Sequence, residues 1–189
     1  ESNSNANMLF VDAGSDHVNI ATSTDHGGVL NVETTDNSVN LVLVSTDTDG
    51  SAGPILDLTR DAGNVPSDDD IMGTIRFRND DTDLNMTQYV MLQALVQDVS
   101  SGTEDGRLKF IVMSAGTQRN FIDMSGSNAI VFNEDSQDVD FRVESNNENN
   151  AFVVNAGTDT VGIGTASPVV LTGNAVPGLT VASNGPYIV

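Results

Sequence analysis

The chain has 189 residues, with 27 acidic side chains against 7 basic ones and a formal net charge of −20. That balance argues against a nucleic-acid partner, which needs clustered Lys and Arg to displace counterions, and against an anionic lipid surface. Cysteine is absent, so disulfides and thiolate metal sites are excluded. No run reaches the roughly 18 to 20 continuous apolar residues of a membrane-spanning helix, so no membrane insertion is expected.

In chain order, the first predicted element is a hairpin. Met8 to Asp12 is an apolar strand, Ala13-Gly14-Ser15-Asp16 a turn, and His17 to Ala21 an alternating strand. Gly and Asp suit the positive-φ and self-bonding needs of a tight connection. Short runs rich in Val, Ile, Leu and Phe follow at Val39 to Val44, Pro54 to Thr59, Ile71 to Arg78, Gln88 to Gln97, Arg107 to Met113, Arg119 to Asp123, Ala129 to Phe132 and Asp138 to Val143. In Thr74-Ile75-Arg76-Phe77-Arg78 the apolar side chains alternate with the arginines, and Arg107-Leu108-Lys109-Phe110 repeats the split. Tyr89 to Asp98 has a composition open to a helix. The alternation of Val90, Leu92, Ala94 and Val96 favours a strand. Turn clusters such as Asp47-Thr48-Asp49-Gly50 and Gly102-Thr103-Glu104-Asp105-Gly106 separate the runs.

The last predicted element repeats the first. Residues 144–167 match residues 1–24 at 11 of 24 positions at a fixed offset of 143, including Val11/Val154, Gly14/Gly157, Asp16/Asp159 and Ile20/Ile163. Gly28 to Val32 finds a weaker counterpart in Pro177 to Val181. A period this long exceeds the 20 to 50 residues of common solenoid units and implies whole domains in tandem. The expected division is the end of a preceding repeat at 1–24, a main β-domain at 25–143, a second hairpin copy at 144–167, and the start of a next module at 168–189. The expected fold is all-β: elongated β-sandwich or β-prism modules in tandem, as an intertwined homotrimeric fibre. With few aromatics and no Trp, thin layers of small apolar residues would close their core against neighbouring chains and so cover exposed strand edges. The start at Glu1 and the end within an apolar run lead us to expect a piece of a longer polypeptide.

The stretches VDAGSDHVNIAT at 11–22 and NAGTDTVGIGTASP at 155–168 resemble the β-repeat of tail-fibre and appendage proteins of tailed bacteriophages, marine ones especially. VFNEDSQDVDFRVES at 131–145, and the blocks at 53–61, 73–80 and 102–116, are similar to the segments that accompany it. The resemblance implies an elongated homotrimer projecting from the virion, contacting other virion proteins and serving host attachment. The first copy departs from the pattern, with Asn19 and Ala21 where the second has Gly162 and Gly164.

Catalytic chemistry finds little support. A nucleophile would need a base, and only His17 and His26 are available; His17 is replaced by Thr160 in the second copy, and His26 reads as a loop residue beside Gly27-Gly28. Asp68-Asp69-Asp70 and Asn79-Asp80-Asp81 read as solvated turns in preference to glycosidase pairs. Val161-Gly162-Ile163-Gly164 lacks the third glycine of a dinucleotide loop. No enzyme activity and no cofactor are expected. The candidates for calcium, a hard cation that favours oxygen ligands, are Asp47, Asp49, Asp68 and Asp70, though none fits an EF-hand loop. They support a second reading, a carbohydrate- or cell-surface-binding adhesin module stabilised by calcium.

Overall fold

In the computed structural model, the residues described are 8–24, 26–50, 53–61, 63–127, 129–168 and, by backbone alone, 179–181. They are all-β, with strands in three sheets and no helix among them. The chain divides into two units, Glu1–Asp57 and Leu58–Val189.

In the first unit, β1 (Leu9–Asp12) and β2 (His17–Ile20) form an antiparallel hairpin with Asp12 opposite His17. The turn closes because the Gly14 N–H donates to Asp12 Oδ1 at 2.9 Å and Asp16 takes a left-handed φ of 58°. β3 (Leu30–Val32) then runs parallel to β2, pairing Val18 with Leu30 and Ile20 with Val32. A parallel return usually takes about a dozen residues or more, and here residues 21–29 suffice. Left-handed φ values at Ala21 (63°) and Gly27 (83°) tighten that path.

In the second unit, β4 (Ile71–Asp80), β5 (Met86–Asp98), β6 (Asp105–Ser114), β7 (Thr117–Ser125) and β8 (Ile130–Phe132) form an antiparallel meander in sequence order. The stretch open to a helix is therefore inside the strand β5. The second sheet runs β12-β11-β10-β9, from β9 (Phe141–Val143), β10 (Phe152–Asn155), β11 (Thr160–Ile163) and β12 (Leu179–Val181). Here β10 and β11 form the hairpin and β12 pairs parallel with β11, Val161 with Leu179 and Ile163 with Val181. The register matches that of β1, β2 and β3: the three pairs of the β10–β11 hairpin fall on three of the four pairs of β1–β2 at an offset of 143.

Backbone details recur at the same offset. Asp159 (φ 52°) matches Asp16, and Gly164 (φ 70°) matches Ala21. Thr22 Oγ1 accepts from the Thr24 N–H at 2.9 Å, as Thr165 Oγ1 does from Ser167 at 3.2 Å. The backbone conformation is thus kept between the copies even where the residue changes, as at Ala21 and Gly164.

Two predicted strands do not form. Val39 to Val44 and Pro54 to Thr59 are exposed and belong to no strand. Alternating or continuous apolar residues report strand propensity, whereas a strand also needs an edge to take up its N–H and C=O groups. The run expected over Asp138 to Val143 is a strand only from Phe141.

Burial is sparse. Among the described residues the buried apolar side chains are Met91, Leu95 and Val153, while Asn19, Thr22, Asn31, Asp123 and Thr160 are buried polar ones.

Candidate functional site

The five-stranded sheet has two unlike faces, and its register assigns the residues to each. Directly paired residues share a face, and alternate residues do too. One cross-strand row reads Ile75, Leu92, Phe110, Ile122 and Phe132; the next reads Gly73, Ala94, Leu108, Met124 and Ile130. A third joins Phe77, Val90 and Val112 and ends at Arg119. Up to that arginine every member is apolar. None of these side chains is buried, and Phe77 and Phe132 are 55% and 51% exposed. Leu58 leans on the near corner, where a Cβ on Gly73 would lie 3.1 Å from its own Cβ. With strands about 4.8 Å apart, this face is roughly 19 Å wide.

Beside β8 the apolar surface continues. The rings of Phe132 and Phe141 lie 5.0 Å apart by centroid, and those of Phe141 and Phe152 lie 6.2 Å apart, edge to face. They line an open cleft of about 580 Å³ with Ile130, Val139 and Val154, rimmed by Asn133, Gln137, Asn155 and Asp159.

The opposite face is polar and better tied. Thr74, Gln93, Lys109 and Asp123 form one row, and Arg76, Met91, Ile111 and Asn120 the next. Arg107 grips Asp123 with two hydrogen bonds, and Asn120 Nδ2 donates to Asp123 Oδ2 at 2.6 Å. Arg107 above all, then Asn120, holds the Asp123 carboxyl below its usual range against the opposing effect of burial. Ser125 and Ser127 both bond to the Gln97 amide.

Three of the four calcium candidates, Asp47, Asp68 and Asp70, accept hydrogen bonds from the protein itself. Asp47 Oδ1 accepts from the Asp49 N–H at 3.2 Å in the first unit. Asp68 Oδ1 accepts from the Val99 N–H at 3.1 Å. Asp70 splits its oxygens between the Ser67 N–H (3.0 Å) and Arg60 Nη1 (3.1 Å), and both bonds lower its pKa. No three His, Cys, Asp or Glu gather into a metal-binding group among the described residues. His17 sits opposite Asp12 in the hairpin. His26 Nε2 lies 3.0 Å from Glu33 Oε2, and that contact is the largest cause of a lowered Glu33 pKa.

Sequence proximity suggests Asp57 or Asp61 for Arg60 and Asp140 or Glu144 for Arg142, and Arg142 with Glu144 is present at 2.6 Å. Arg60 meets the more distant Asp70. Asn19, a departure from the repeat pattern, is fully buried and accepts from Asn31 Nδ2 at 2.6 Å. Its counterpart Gly162 is constrained differently: a Cβ there would lie 2.7 Å from the Thr165 carbonyl oxygen. Each copy fills the same place, one with a side chain and the other with the following loop.

No protein-family model matches this chain, and no curated protein matches it in sequence.

Proposed function

We propose that this chain is a structural module of a trimeric fibre or similar virion appendage, which projects from the particle and supports host attachment. The observation that carries this reading is the apolar face of the five-stranded sheet. Soluble monomers seldom leave a contiguous apolar patch of several hundred Å² in water. A chain with three buried apolar side chains among its described residues has most of its hydrophobic stabilisation still to gain. Three copies related by a three-fold axis bring three such faces together and make a closed, heterologous assembly. The rows up to Arg119 carry no charge, so the faces meet without desolvating ions. The charge of −20 stays on the outside and keeps a long assembly soluble.

The recurrence of the three-stranded arrangement at each end supports a modular shaft. The virion assignment rests on the resemblance of residues 11–22 and 155–168 to tail-fibre repeats. Light scattering tests the assembly: a mass about three times 19.9 kDa is expected, and a monomer mass would sink the reading. Immunogold labelling of intact particles tests the location, with label expected on a projecting appendage and label confined to the capsid counting against it.

A further inference from the structure

We infer that Val39–Val44 is a donor strand, which adds to the open edge of β4 in a second copy of the chain. The inference rests on the trimeric reading above and says how neighbouring copies interlock.

The donor is a run of strand-forming residues, Val-Asn-Leu-Val-Leu-Val. Its five apolar side chains are 46–74% exposed. Among the described residues no member of the run makes a backbone–backbone hydrogen bond; the Asn40 amide alone anchors it, donating to the Val32 carbonyl at 3.1 Å. An extended apolar run with its ladder groups unused has the makings of a strand and lacks only an edge.

The acceptor is at the other end of the same requirement. β4 is the outermost strand of its sheet and, among the described residues, pairs as a strand only with β5. Arg60 donates to the Ile71 carbonyl at 3.1 Å and Leu58 lies beside Gly73, so the open part of the edge is residues 74–80. β4 is ten residues long, longer than the donor, and one side of it presents Ile75 and Phe77, 41% and 55% exposed. Proteins usually blunt an edge of that length. Arg76 and Arg78 look like such a device, but in a chain of net charge −20 they attract more than they repel. Neither has an ion-pair partner among the described residues. The donor is flanked by Asp36, Asp47 and Asp49, opposite in sign to the edge. Donor and acceptor lie on one polypeptide, so each copy offers a strand to the next and takes one from the last. That is a heterologous contact, which a three-fold ring closes.

Two measurements decide it. Successive N–H groups of a strand point to opposite sides, so either Val42 or Leu43 donates to the acceptor edge. Val42→Pro and Leu43→Pro each delete one donor in a run whose backbone makes no backbone–backbone bond among the described residues. At least one variant is expected to raise the concentration at which the trimer dissociates tenfold or more, by sedimentation. If both match the parent, the donor assignment is wrong while the trimer stands; a monomeric parent defeats both.

Because the chain has no cysteine, the variant Leu43→Cys/Ile75→Cys tests the pairing directly. A bis-maleimide with a reach beyond the roughly 4.8 Å between paired strands should give covalent dimers and trimers on a denaturing gel, absent from either single variant. A 43–75 link within one chain, or no link in a chain that is trimeric by light scattering, overturns the inference.

Discussion

Arg107 and Asp123 form a two-pronged ion pair on the polar face of the sheet, Nε to Oδ1 at 2.7 Å and Nη2 to Oδ2 at 2.6 Å. Asp123 is 2% exposed, so its charge is stable there only because the guanidinium and Asn120 answer it. Asp123→Asn keeps the shape and removes the charge, leaving Arg107 poorly paired. The expected loss is about 1–3 kcal/mol, read from denaturant unfolding.

The same pair sets an acid limit. The folded pKa of Asp123 lies below its unfolded value, which is about 3.9. Its contribution to stability is therefore fully present above that value and is lost as pH falls through the folded pKa. Melting temperature should decline below about pH 4, and Asp123→Asn should flatten part of that decline. Parallel slopes for parent and variant would show that other carboxylates govern the acid side.

Asn31 is the tie of the first repeat unit. Its Nδ2 donates to Asn19 Oδ1 and to the Gly28 carbonyl, and its Oδ1 accepts from the Gly28 N–H. Asn31→Ala removes all three bonds and leaves Asn19 buried without that partner, at an expected cost of about 2 kcal/mol. Amide hydrogen exchange at Asn19 and Ile20 should speed up, while exchange in β5 and β6 stays unchanged.

Much of this was legible in the sequence, and the parts that were not share a cause. The alternation in Thr74–Arg78 and Arg107–Phe110 separates an apolar from a polar face, because side-chain direction along a strand depends only on parity. The turns at Ala13–Asp16 and Ala156–Asp159 were visible because left-handed backbone is reserved to few residue types. What a pattern does not specify is the neighbour. It marks Val39 to Val44 as strand-forming and is silent on which edge would receive it. It offers Asp140 or Glu144 for Arg142 without choosing, and Asp57 or Asp61 for Arg60 where the structure brings Asp70, because the latter contact depends on how the chain returns to the start of β4. The burial of Asn19 was hidden for the same reason, since its partner arrives on a parallel strand by a short return.

Ala21 carries a left-handed φ of 63°, a conformation that costs an L-residue about 1–2 kcal/mol and glycine almost nothing. The second copy has Gly164 at this place with φ 70°. Ala21→Gly should stabilise the hairpin by about 0.5–1 kcal/mol once the greater freedom of unfolded glycine is set against the relief. Gly162→Ala should do the reverse in the second copy, because its Cβ meets the Thr165 carbonyl. Paired thermal melts give both signs.

Calcium should leave the fold alone. Asp70 engages both oxygens, with Ser67 and Arg60, while Asp68 Oδ1 accepts from Val99 and Asp47 Oδ1 from Asp49. Millimolar calcium or excess chelator is expected to move the melting temperature by less than the scatter between repeats. A rise with the metal would mean that it recruits these carboxylates out of their turns, and would favour the adhesin reading.

The apolar face makes the sharpest demand. Phe77 is 55% exposed on the single chain, so Phe77→Asp removes little packing from the sheet itself and should change the unfolding of a dilute, dissociated chain by about 0.5 kcal/mol or less. In the proposed trimer the same change would place a carboxylate in each of three apolar contacts, where truncating a central aromatic typically costs about 2 kcal/mol or more. The variant should therefore be monomeric at concentrations where the parent is trimeric, with an unchanged strand signal by circular dichroism. Thr74→Asp, on the polar face, is the control and should stay trimeric. If Phe77→Asp keeps the trimer mass, the faces do not meet at the axis, and the copies are joined through their edges alone.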